Sequence, residues 1–164
     1  MLPPDPRALD RAAELISAAS RPVVIAGLQC RTPHDTEWLR AFAEALPAPV
    51  LTTRKAQGAL SEAHPLALGI FTGSEQDDAV LGLADLIVTF GLDPDELNSG
   101  RWPYAAVVVH LSRTPHSDYP FTLLVEVVGD LSLILEELAP RLRGKTQVNW
   151  DMVQIDRLKR AQRG

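Results

Sequence analysis

Leu86-Ile87-Val88-Thr89-Phe90-Gly91 is the stretch that decides the fold. It is short, almost wholly apolar, rich in β-branched residues, and closed by a glycine. A strand with one wet face alternates apolar and polar residues. A strand that does not alternate is buried on both faces, as in a parallel sheet with helices on either side. Working outward, Val23-Val24-Ile25-Ala26 closed by Gly27 repeats the pattern. Pro49-Val50-Leu51-Thr52, Ala106-Val107-Val108-Val109-His110-Leu111 and Leu123-Leu124-Val125-Glu126-Val127-Val128 extend it. Helical patterns lie around these strands. Asp5 before Pro6 reads as a cap with proline at the first helical position, and Leu9, Ala12, Ala13 and Ile16 fall on one face. Thr32-Pro33-His34-Asp35 is a capping box ahead of Trp38, Leu39, Phe42, Ala43 and Leu46. Ser74 to Asp77 opens a third helix with Val80, Leu81 and Ala84 inward, and Asp130 caps a fourth through Leu138. Asp93-Pro94-Asp95-Glu96 has a capping pattern with room for about one turn. Strand and helix alternate, and right-handed crossovers turn that alternation into a Rossmann-like, doubly wound α/β sheet with helices on both faces.

Composition fits one domain. The chain has 164 residues, 46% of them hydrophobic and 23% charged, and a net charge of −5. That charge argues against a general nucleic-acid binder. The basic run Arg157 to Arg163 reads as a solvated tail helix. A single cysteine, Cys30, excludes an internal disulfide and a multi-cysteine zinc site. No apolar run approaches the ~20 residues that span a bilayer, and Met1 to Pro6 has neither the basic start nor the apolar core of a signal peptide. The expected setting is the cytoplasm.

Ligands of such sheets sit beyond the carboxyl ends of the strands. Here those ends are 27–32, 52–58, 91–96 and 111–116. The first turn, Gly27-Leu28-Gln29-Cys30, holds one glycine, whereas a dinucleotide fingerprint needs three. It is either a looser nucleotide edge or a plain strand-to-helix turn. The run from Thr53 to Gly73 offers hydroxyls, glycines, Arg54 and Lys55, but lacks the Gly-Lys-Ser/Thr ending of a phosphate loop. Its cations either meet a phosphate or face solvent. Asp93, Asp95 and Glu96 have the composition of a divalent-cation site, though helix capping already accounts for two of them. Ser112, His116 and Asp118 are the nearest set to a hydrolase triad, without a nucleophile elbow. Cys30 is either a reactive thiol or a small partly buried one. No catalytic residue is assigned.

Taken in order, the segments resemble the central domain of thiamine pyrophosphate-dependent enzymes. That family includes acetohydroxyacid (acetolactate) synthases, pyruvate oxidases and benzoylformate decarboxylases. The carrying stretches are Ser20 to Gly27, Phe42-Ala43-Glu44, Pro49 to Thr53, Gly58 with His64 to Gly69, Ala84 to Pro94, Val109-His110-Leu111, and Gly129-Asp130 with Leu138. Gly91-Leu92-Asp93-Pro94 with Arg101-Trp102-Pro103-Tyr104 is most similar to the acetolactate synthase-like members. The resemblance implies six parallel strands, one more than the pattern reveals. It implies a domain over 1–144 and a linker or tail helix over 145–164. It places the domain between a pyrimidine-binding and a pyrophosphate-binding domain, which hold thiamine pyrophosphate and Mg²⁺ in the full enzyme. Gly129-Asp130 is not the family's magnesium motif, because Leu131 follows.

Some members bind FAD or ADP in this domain. The matching positions are Gly27, Gln29, Thr53, Gly58, Gly69, Gly73 and Gly91. Leu92-Asp93 stands where FAD-binding synthases carry an arginine. The expectation is a domain-sized piece of a homo-oligomeric carboligase or decarboxylase, inactive alone. Its partners are the two other domains, with no nucleic acid and no membrane. The rival is a standalone module for ADP, FAD or NAD. Trp38, Trp102, Tyr104 and Trp150 are the candidates for apolar surface that neighbouring domains cover.

Overall fold

Pairing of buried apolar strands sets the architecture of the computed structural model, which describes residues 3–97, 100–115, 119–121 and 123–163. Six strands run in parallel: β1 (Pro22–Ala26), β2 (Val50–Thr52), β3 (Ala67–Ile70), β4 (Leu86–Phe90), β5 (Val107–Ser112) and β6 (Leu123–Val128). Their order across the sheet is β3-β2-β1-β4-β5-β6. β1 and β4 are buried at every residue, as their unbroken apolar sequence requires. They pair in register from Pro22 beside Leu86 to Ala26 beside Phe90, so both strands end at the same height.

The helices are α1 (Pro6–Ala18), α2 (Pro33–Ala45), α3 (Asp78–Leu81), α4 (Leu131–Leu142) and α5 (Met152–Arg163). Their starts follow the sequence signals. Asp5 accepts from the Arg7 N–H, Thr32 and Asp35 form a reciprocal capping box, and Asp130 accepts from the Leu133 N–H. α1 and α2 both pack on α4. Leu9, Ile16, Leu39, Ile134 and Leu138 fill the layer between these helices and the sheet. The third helix is shorter than its pattern suggests, a 3-10 turn at Glu75–Asp77 running into the single turn of α3.

The connections from β4 to β5 and from β5 to β6 step the other way across the sheet, so right-handed crossing puts them on the opposite face. Aromatic rings gather there. Trp102 lies 4.7 Å from Phe121, 5.2 Å from Tyr104 and 6.4 Å from Phe71 between ring centroids. Arg101 clasps this segment to α3, with its guanidinium 3.0 and 2.7 Å from the two carboxylate oxygens of Asp78. Tyr104 donates to the same carboxylate at 2.7 Å. These donors hold Asp78 below the usual carboxylate range.

Two expectations change. The strand hidden from the pattern is β3, inside the run read as a loop. It is a short edge strand broken by Gly69, and its register against β2 slips between Val50 and Leu51. The tail helix is not simply solvated. α5 docks along β3, buries Ile155 completely, and donates from Lys159 Nζ to the His64 carbonyl at 2.5 Å. Trp150, read as a candidate for exposed apolar surface, is 7% exposed, and its indole donates to the Pro22 carbonyl at 2.9 Å.

Candidate functional site

Strand order reverses between β1 and β4, and the crevice beyond their carboxyl ends is where such a sheet ordinarily receives a ligand. Two turns meet there. Gly27 N–H donates to the Phe90 carbonyl and Gln29 N–H to the Gly91 carbonyl, both at 2.9 Å. A Cβ on Gly27 would lie 2.5 Å from Leu92 Cα and 2.8 Å from the Gly91 carbonyl oxygen. Gly91 has φ +68° and packs against Gln29 and Leu131. Both glycines are therefore required by backbone packing of one turn on the other.

Glu96 fills what space remains. It sits in a 3-10 turn, Pro94–Leu97. Its carboxylate accepts from Leu28 N–H at 3.0 and 2.9 Å, from Asp93 N–H at 2.9 Å, and from the Thr53 hydroxyl. Three loops thus end on one carboxylate. The bond to Asp93 is the local capping that the sequence suggests, whereas those to Leu28 and Thr53 cross the sheet. An incoming diphosphate at this point would meet a like charge, so the crevice between β1 and β4 does not fit a dinucleotide.

Gln29 is also committed to the protein. Its Oε1 accepts from Arg113 N–H at 2.8 Å, and Ser112 Oγ lies 3.1 Å from its Nε2. The Arg113 guanidinium donates to the Gln29 carbonyl and, at 2.7 Å, to Asp35 Oδ2. Asp35 is 1% exposed. Cys30 lies 5% exposed beside this pair. Burial, with the nearby Asp35 charge, pushes its thiol up to about 12. It is therefore the inert thiol, since the thiolate is the nucleophile. Of the hydrolase-like set, Ser112 is buried and its hydroxyl donates to the Thr114 carbonyl at 3.0 Å, while His116 and Asp118 lie outside the described residues. His110 sits inside β5, fully buried, bridging Thr89 at 2.5 Å and Tyr119 at 2.6 Å.

A second crevice, of about 320 Å³, opens beside the first between Thr53, Arg54, Lys55, Thr72, Gly73 and Glu96. Its far wall is organised by Asp77, which is 1% exposed. Asp77 accepts from Thr72 N–H and Thr72 hydroxyl at 2.9 Å each and from Gly73 N–H at 2.8 Å. Arg54 and Lys55 are exposed. Gly58 and Gly69 lie elsewhere, in a cleft shared with α5. Their φ angles of +94° and +125° supply the reason for glycine there.

Of the seven sequence-named positions, Gly27, Gln29, Thr53 and Gly91 converge on the inner crevice. Gly73 lines the outer one, and Gly58 and Gly69 are apart. Sequence reasoning missed the reach of Glu96, Arg113 and Asp77. The signal available for Glu96 was its place three residues after Asp93, and that reports only the local bond. Among the described residues, no group of three or more His, Cys, Asp or Glu could hold a metal ion. No helix among them is long and apolar enough to cross a membrane.

Comparison with known proteins agrees with this architecture. The family model described as "Thiamine pyrophosphate enzyme, central domain" matches residues 9–138. The probable acetolactate synthase large subunit of Methanococcus aeolicus is 32% identical over 143 residues, which cover 84% of this chain and 24% of the relative. The acetolactate synthase of Mycobacterium bovis is 32% identical over 152 residues, covering 85% of this chain and 24% of the relative. The chain thus spans about a quarter of the length of these curated relatives. Among solved structures, the benzoylformate decarboxylase of Polynucleobacter necessarius superposes with a TM-score of 0.64 at 25% identity, covering 90% of this chain and 30% of that one.

Proposed function

The chain belongs to the thiamine pyrophosphate enzyme family, as its central domain, and from that premise we propose that it serves as the structural and interface domain of an acetolactate synthase-like carboligase or decarboxylase and carries out no turnover by itself. The observation that carries this reading is the closure of the β1/β4 crevice by Glu96. The place where the fold ordinarily takes a ligand is spent on holding three loops together. In this reading residues 1–144 are the domain and 145–164 the connection to its neighbour. A pyrimidine-binding and a pyrophosphate-binding domain hold thiamine pyrophosphate and Mg²⁺. The full enzyme is a cytoplasmic homo-oligomer. The test is direct: the chain with thiamine pyrophosphate, Mg²⁺ and pyruvate releases no carbon dioxide above a protein-free control. Measurable release overturns the proposal.

A second reading has its own observation. The outer crevice beside Arg54, Lys55 and Gly73 is open and carries two exposed cations. It supports a nucleotide-binding module at the outer crevice, where Thr53 and Gly73 of the seven sequence-named positions lie. Calorimetry with ADP, FAD and NAD separates the two. Heat of binding with any of them favours the module, and none with all three removes it.

A further inference from the structure

We propose that the carboxyl ends of β1 and β4 form an oxyanion seat and that the Glu96 carboxylate is its resident, intramolecular ligand. Two observations meet here. The first is the donor set. The amides of Leu28 and Asp93 and the hydroxyl of Thr53 come from three different loops and point at one carboxylate. Convergent N–H and O–H donors of this kind are what proteins use to hold phosphate and carboxylate anions. The second is the cradle. A Cβ on Gly27 would lie 2.6 Å from Glu96 Oε2, so the turn is bare where the carboxylate rests.

The seat is a property of the backbone, and the side chain only fills it. Among the described residues no Lys, Arg or His forms an ion pair with Glu96, so its direct partners are backbone amides and a hydroxyl. The chemical class the seat takes is a small carboxylate. Glu96 is the carboxylate that reaches it from within, and while it is there no external anion enters. The inference goes beyond the assignment of the chain as a central domain and does not depend on what the full enzyme does.

Deleting the occupant exposes the seat. Glu96→Ala removes the carboxylate together with the one methylene beyond Cβ, leaving a space of roughly the size of acetate. The experiment compares melting temperatures of the 164-residue chain in sodium chloride and in sodium acetate at equal ionic strength. For Glu96→Ala the change to acetate gives a rise of about 3 °C over that of the wild type. For Glu96→Gln, which fills the space without charge, no excess rise is expected. An excess in Glu96→Ala alone supports the seat. An equal response in all three proteins overturns it.

The wild-type chain supplies a measurement that needs no variant to fold. The Leu28 and Asp93 amides lie in loops, where exchange with solvent is otherwise fast, and the seat predicts that both are slowed at least about tenfold. Exchange of either amide at the free-peptide rate removes Glu96 as the occupant, whatever the variants do.

Discussion

The inner crevice between β1 and β4 and the outer crevice beside β2 and β3 share Thr53 and Glu96 and are built in different ways. The inner one is tied. Gly27 has no room for a methyl group, and Glu96 gathers three donors. The outer one keeps about 320 Å³ of space, and its cations face solvent. A carboxylate that accepts from loop amides organises each, Glu96 between the two crevices and Asp77 behind the Thr72-Gly73 wall of the outer one. The difference is position. Asp77 ties a loop to itself, over five residues of sequence at most, and leaves the space beside it open. Glu96 ties loops 68 and 43 residues away and so closes the space. Burial does not separate them, since Asp77 is buried and Glu96 half-buried; what separates them is how far along the chain each carboxylate reaches.

The largest effect is expected where that closure is steric. In Gly27→Ala the new Cβ meets backbone at 2.5 and 2.8 Å, which cannot rotate away. A loss of about 3 kcal/mol is expected, measured by urea unfolding. A change under about 0.5 kcal/mol would show that the two turns are not packed as described. Next comes Glu96→Ala, which strands two half-buried amides and a hydroxyl. A loss of about 2 kcal/mol is expected in the same assay. A change under about 0.5 kcal/mol would show that Glu96 does not tie the three loops.

Cys30 tests the burial of the inner side by pH. Its folded pKa is raised, from an ordinary value near 9.0 to about 12. The thiol therefore ionises in the unfolded chain before it ionises in the folded one. Its stabilising contribution is fully present below pH 9 and is lost as pH rises toward 12. Denaturant titrations of wild type and Cys30→Ala should diverge over that window, with the wild type falling more steeply. Parallel curves would place the thiol in water. The smallest effect belongs to the outer crevice. Replacing both Arg54 and Lys55 by alanine should shift stability by no more than about 0.5 kcal/mol. A larger loss in the same unfolding assay would mean that the outer crevice is tied as the inner one is.

Legibility followed distance along the chain. Continuous apolar runs gave β1, β2, β4, β5 and β6, because burial on both faces leaves a local mark. Capping residues gave the starts of α1, α2 and α4 for the same reason. β3 escaped because four residues with a glycine among them carry no period. Trp150 escaped because its partner, the Pro22 carbonyl, is 128 residues away. The same holds at the candidate site, where the pattern indicated Gly27 and Gly91 as a ligand edge. Their small size is in fact needed for each other's turns and for the carboxylate between them.

The sequence by itself determined that the chain is a parallel, doubly wound sheet, that β1 and β4 end on glycines, and which family it resembles. Those are consequences of hydrophobic period, local capping and residue order, all read within a few neighbours. Only the tertiary structure decided what the strand ends hold. Whether three polar groups meet is a matter of which strands lie side by side, and β1 and β4 are brought together across 64 residues of register. Through that pairing, Glu96 changes from the last acid of a helical turn to the group that closes the crevice.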